Sequence, residues 1–211
     1  MLFRSKMNRQ AGFTLIELSI ALVIIGLILS IIVIKSGVLV GDTKTTSTIT
    51  LIKDLSGAVI DFKSRFHYLP GDLPKAGDDI PNVSTSCNIA ASTSNIGNGL
   101  IDNSTESACA SEELVLAGFI KGKTTGIFSP FNSGTVPDVF VMSASTSQVN
   151  VAATNAFALT VQNVIEIRNI PCEAAIAIDS KIDDSDTTKG NVRIEPVCAT
   201  ASAMTTLDVS I

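Results

Sequence analysis

The stretch "RQAGFTLIELSIALVIIGLILSIIVIK", residues 9–35, sets the architecture of the chain. Leu18 to Ile34 is an unbroken run of seventeen uncharged residues. As a helix it spans roughly 26 Å, and about 33 Å when Phe13 to Glu17 are included, which is enough to anchor a chain in a bilayer. One acid, Glu17, stands at the start of the run. A lone carboxylate at the edge of a membrane-length segment is costly unless something pairs with it. The apolar character also begins abruptly after Gly12.

Charge places the two sides of this segment. The 211-residue chain has a formal net charge of −5. Residues 1–12 carry Arg4, Lys6 and Arg9 and no acid, so they hold +3, which leaves −8 on the remainder. Basic residues before an apolar span favour the cytoplasmic side, so everything after Lys35 is expected outside the cytoplasm. A net acidic remainder with no basic patch argues against a nucleic-acid partner. A length of 211 residues suits one domain plus a terminal segment. The mean hydropathy of +0.41 reflects the apolar run in part.

The four cysteines, Cys87, Cys109, Cys172 and Cys198, all lie beyond the run. An even count in an exported domain predicts disulfides. Of the three connectivities, sequential pairing (Cys87–Cys109 and Cys172–Cys198) closes the shortest loops and is preferred. Zinc is the competing reading, weakened by the lack of C-x-x-C spacing and by a single histidine, His67.

An ordinary secretory signal places its small-residue cleavage site after the apolar core. Here Gly12 precedes it, although Ser36 and Gly37 follow and leave a cut there open. The segment "GFTLIELSIALVIIGLILSI" closely resembles the N-terminal signature of type IV prepilins and type II secretion pseudopilins. The resemblance implies cleavage between Gly12 and Phe13 by a prepilin peptidase, N-methylation of Phe13, and an assembly role for Glu17. In a filament Glu17 would face the Phe13 amine of a neighbouring subunit, an amine that exists only after the cut. It further implies self-assembly with other pilin-like subunits, and an inner-membrane platform driven by a cytoplasmic ATPase.

Beyond Lys35, "SGVLVGDTKTTST" is poor in helix formers, and a flexible or partly melted stretch is expected at 36–48. Ile49, Ile52, Leu55, Val59, Phe62 and Phe66 then recur three or four apart, one stripe of an amphipathic helix. Breakers in "YLPGDLPKAGDD" end that helix near residue 67, and this turn resembles one found in a subset of pilin-like proteins. Residues 78–110 read as a long polar surface loop. "SEELVLAGFIKG" predicts a short helix with Ser111 as N-cap and Gly118 or Gly122 near its end. "DVFVMS" (138–143), "QVNVAA" (148–153), "NAFALTVQ" (155–162) and "NVRIE" (191–195) predict strands, with 204–210 as a last edge strand. "NIPCEAAIAIDSKID" predicts a helix, with Pro171 in its first turn and Ala174, Ile178 and Ile182 on one face.

The expected fold is therefore α+β and pilin-like: a long N-terminal helix, membrane-spanning in its first half, packed on a small, mostly antiparallel sheet with inserted short helices. The expected divisions are a leader at 1–12, a membrane or filament-core helix at 13–35, the rest of the long helix at 36–67, and a globular head at 68–211.

The best candidate for ligand chemistry is "DSKIDDSDTTKG". Clustered carboxylates suit calcium, and some pseudopilins carry a structural calcium in a C-terminal loop. A calcium held by Asp183, Asp184 and Asp186 is the cofactor such a loop would take, although the EF-hand pattern is absent. "NIGNGLIDNSTE" (95–106) is a fainter candidate. Catalysis has little support: His67 sits at a helix end, and no H-E-x-x-H, G-x-S-x-G or phosphate loop occurs. The function expected is a structural subunit of a type IV pilus or secretion pseudopilus, held in the bacterial inner membrane before polymerisation. The long polar insertion fits a pilus or minor subunit better than a compact major pseudopilin. The competing reading is a signal-anchored exported binding module or enzyme with no filament role.

Overall fold

The computed structural model describes residues 14–90, 95–151, 156–158, 160–196, 198 and 203–211, with only the backbone described for 31–39 and 150–151. Contacts divide the chain into two compact units, Met1–Gly41 and Asp42–Ile211. One helix, α1 (Leu15–Phe66), passes through both.

In the first unit the helix is apolar on every side. All described side chains from Thr14 to Ser30 are exposed, including Leu22 at 64% and Leu27 at 62%. Ser19 and Ser30 turn inward on the backbone: Ser19 donates to the Ile16 carbonyl at 2.9 Å and Ser30 to that of Leu27 at 2.8 Å. The helix then continues through 36–48, where residue propensities favour melting. The threonines there accommodate the helix by back-bonding, Thr46 to the Asp42 carbonyl and Thr48 to that of Lys44.

In the second unit the α1 stripe is the spine of the core. Ile52, Leu55, Val59 and Phe62 are buried, with Ile49 and Phe66 packed at the margin. Phe62, Phe66 and Phe119 cluster with ring centroids 4.6 to 6.4 Å apart, each pair contributing about 0.5–1.5 kcal/mol beyond area burial. The helix ends at His67, whose φ of +66° is left-handed and whose N–H donates to the Lys63 carbonyl at 2.9 Å. A short helix, α2 (Ala76–Asp79), follows.

Helix α3 (Ser104–Leu116) begins eight residues before the predicted start. Asn103 caps it by accepting from the Glu106 N–H at 2.9 Å. Ser111, the predicted cap, is instead a buried residue of the helix interior. The end falls as expected, with Gly118 at φ +82° just beyond the Ala117 cap.

The sheet has four antiparallel strands in the order β1-β2-β4-β3: β1 (Val139–Ser143), β2 (Asn163–Pro171), β3 (Val192–Glu195) and β4 (Met204–Ser210). Val139, Val141, Ile165, Ile167, Val192, Ile194, Leu207 and Val209 join the same core as the α1 stripe. The fold is thus α+β and pilin-like, a helix packed on a small antiparallel sheet with inserted short helices.

Three strand expectations need correction. Residues 148–153 were expected as a strand, but Gln148–Val151 is a helical turn, α4, preceded by a 3-10 turn at Ala144–Thr146. No described residue of 155–162 is a strand. Their β-branched and aromatic side chains cover the second face of the sheet: Val149 is fully buried, and Phe157 packs with Met142 and Val164. Strand β4 was expected at the edge but lies between β2 and β3. The longest strand, β2, runs straight into helix α5 (Cys172–Ile182), so Pro171 is the residue before the helix and not part of its first turn.

Candidate functional site

At the N-terminal end the chain places Thr14 and Glu17 in a reciprocal cap. The Glu17 carboxylate accepts from the Thr14 N–H at 2.9 Å and from its hydroxyl at 2.8 Å, while the Thr14 hydroxyl accepts from the Glu17 N–H at 3.3 Å. This is the T-x-x-E capping box, which satisfies donors that a helix start leaves orphaned. Glu17 is therefore not a bare carboxylate within the subunit. The spacing was visible in "TLIE" and is a local reason for the acid to stand there. Gly12 and Phe13, the predicted cleavage and methylation residues, lie outside the described residues.

The "LPGD" turn organises the head. Gly71 has φ +84°, and the Glu106 carbonyl stands where a Cβ would project, so only glycine lets the turn approach α3 this closely. Its N–H donates to Glu113 Oε2 at 2.7 Å. The Asp72 carboxylate is cradled by successive backbone amides of Gly97, Asn98 and Gly99. The loop considered as a second calcium candidate thus wraps an internal carboxylate. Burial raises the carboxyl groups of Asp72 and Glu106 above their ordinary range and pushes Glu113 up to about 8.

Two disulfides fix the excursions from this frame, Cys87–Cys109 and Cys172–Cys198. The first ties the polar segment after α2 to the middle of α3. The second ties the start of α5 to the segment before β4. This is the short-loop pairing, and the described residues include no free cysteine.

The acidic corner after α5 differs from the predicted ligand set. Asp179, Asp183 and Asp184 each bring a carboxylate oxygen within 4.8 Å of the others. Asp186 is drawn away: it accepts from Lys189 Nζ at 2.7 Å and the Thr188 hydroxyl at 2.6 Å, contacts that lower it to about 2. Asp183 accepts from the Val192 N–H at 3.1 Å and also from that of Asn191. Gly190, at φ +70°, leaves the space that the Asp183 carboxylate occupies. Asp179, the first aspartate of the candidate stretch but outside the expected ligand set, is fully buried, and neither of its oxygens has a hydrogen-bond partner. Burial first, and then Asp184, Asp183 and Asp186, push it up to about 6. The i, i+4 spacing of Asp179 and Asp183 was the available signal.

Residues 7–33 match the family model described as the prokaryotic N-terminal methylation motif. No curated protein and no solved structure gives a significant match to the chain. The matched segment carries the prepilin and pseudopilin signature. Among the described residues no helix is long and apolar enough to cross a membrane. Residues 31–35, the end of the sequence-predicted span, have only their backbone described.

Proposed function

We propose that the chain is a structural subunit of a type IV pilus or a related secretion pseudopilus, stored in the inner membrane with its head outside the cytoplasm. The leader, 1–12, is removed between Gly12 and Phe13. Residues 13–35 serve first as the membrane anchor and then as filament core, 36–67 continue the helix, and 68–211 form the head. The carrying observation is the all-round exposure of apolar side chains from Leu15 to Leu29. A helix apolar on every side must be surrounded, by lipid or by other helices. A filament of such stems, built by heterologous contacts that do not close, supplies those helices.

The capping box refines the test of Glu17. Glu17→Ala would remove both the charge and the cap, so a loss of assembly would be ambiguous. Glu17→Gln keeps an acceptor for Thr14 and removes only the charge that would meet the Phe13 amine of the next subunit. The variant is expected to accumulate in the inner membrane and stay out of filaments. Incorporation equal to wild type would overturn the pairing role.

The acidic corner supports a structural calcium held by Asp179, Asp183 and Asp184, replacing the predicted set that included Asp186. A buried carboxylate without a hydrogen bond, beside two others, has the donor chemistry for a hard cation. At a calcium concentration about 100 times Kd, stabilisation would be about 2.7 kcal/mol. Binding needs Asp179 ionised, so the gain is present well above pH 6 and is lost as pH falls through about 6. A melting temperature that is the same in calcium and in chelator at pH 7.5 would remove calcium from the account.

A further inference from the structure

The sheet face opposite the α1 core contains a buried acid pair. Glu166 of β2 and Asp208 of β4 stand directly opposite in the antiparallel register, and both are fully buried. Glu166 is committed on both oxygens: one pairs with the Arg168 guanidinium, and the other accepts from the Gln148 N–H at 2.6 Å. Arg168 also stacks on Phe140, 4.3 Å from the ring centroid. Arg193, opposite Asp208 on β3, donates to the Ala156 carbonyl at 2.9 Å and lies over Phe157.

The cover over this pair is the 3-10 turn and α4. Its polar attachments are Gln148 N–H to Glu166 and the Thr206 hydroxyl to Gln148 Oε1 at 3.0 Å, with Ser147 beside Asp208, and Val149 of the same cover is buried. Residues 144–162 include no charged side chain. Nothing in the cover can therefore neutralise a second negative charge beneath it.

We propose that residues 144–151 form a proton-held latch, closed while Asp208 carries a proton and released when that proton is lost. In the closed state Asp208 is a neutral acid beside Glu166, whose carboxylate is paired with Arg168. Loss of its proton places two carboxylates side by side under an uncharged lid, with the Arg168 guanidinium already bound to Glu166 and Arg193 engaged with the Ala156 carbonyl and Phe157. The repulsion falls on the contacts of Ser147 and Gln148, which attach the cover beside the two acids. Opening uncovers Met142 and Val164, the apolar floor of that face. Burial and the Glu166 charge push the Asp208 carboxyl up to about 8, which sets the pH at which the latch lets go.

The test is hydrogen exchange with mass spectrometry on the full chain in detergent, following peptides from 144–151 between pH 6 and pH 9.5. Rates are normalised for the intrinsic pH dependence of amide exchange. One group titrating near pH 8 predicts a rise of about tenfold in normalised exchange between pH 7 and pH 9. Asp208→Asn is expected to keep this segment protected and flat across the range. Glu113→Gln, which removes a buried acid elsewhere, is expected to leave the rise intact. A flat wild-type profile, an Asp208→Asn profile that rises like wild type, or a rise abolished by Glu113→Gln would each overturn the latch. If Asp208→Asn does not fold, the wild-type and Glu113→Gln profiles still decide.

Discussion

Glu113 lies fully buried beneath the Leu69–Asp72 turn, with the Gly71 amide bound to one carboxyl oxygen and no hydrogen bond to the other. An acid in that setting keeps its proton, and its folded value stands near 8 against an ordinary 4.5. The sign of the consequence follows. A raised value means that the folded state binds the proton more tightly than the unfolded chain does. The favourable contribution is complete below about pH 4.5 and drains away as pH rises through about 8. Thermal stability of the head should therefore fall between pH 5 and pH 9, and Glu113→Gln should flatten that decline, as read from melting temperatures across the range. Asp208, also raised to about 8, keeps its share of the decline, and a variant with the full wild-type slope would show that Glu113 contributes nothing to it. Gly71 and Asp72 work with it at the same scale. Glycine brings the turn against the α3 backbone, and Asp72 organises the 97–99 loop, so two adjacent residues tie the turn to both segments.

At the scale of elements, α1 carries the head. Phe62 is fully buried at the centre of its aromatic cluster, whereas Ile60, two residues earlier, is 61% exposed. Phe62→Ala should cost about 3–5 kcal/mol through lost burial and a cavity, and Ile60→Ala should stay within about 0.5 kcal/mol, both read from denaturation of the full chain in detergent. Equal effects would mean that the helix face has been assigned wrongly. This stripe was legible in the sequence because period 3.6 survives wherever one helix face is buried. Helix α5, β1 and β3 were legible for similar reasons. Strand β2 was not. It is buried on both faces, so Glu166 and Asn163 sit inside where alternation would place them outside, and Asn169-Ile170-Pro171 resembled a helix start. The α3 start was hidden by small polar residues, although Asn103-x-x-Glu106 is a capping pattern. The strands expected at 148–162 failed because β-branched residues can cover a sheet as well as pair within one. At the candidate sites, the acidic stretch was legible as a run of aspartates that includes Asp179, but the grouping of Asp179 with Asp183 and Asp184 in place of Asp186 was not. That grouping depends on α5 ending so that a helical side chain turns back toward the loop that follows.

For the whole molecule, the decisive asymmetry is between a head with its own core and a stem with none. Unit Asp42–Ile211 contains the stripe, the sheet and both disulfides. The first unit presents apolar side chains on every side and a capped helix start, and its burial must come from elsewhere. The methylation motif at 7–33 and this exposed stem support one account: a precursor held in lipid whose processing readies the stem for a filament. That account turns on one bond, between Gly12 and Phe13. Its most direct test is the intact mass of the mature chain, purified from cells that process it. The account predicts a chain beginning at Phe13, bearing one methyl group on its N-terminal amine and two disulfides. A chain that retains Met1, or one that begins after Ser36 or Gly37, would contradict it.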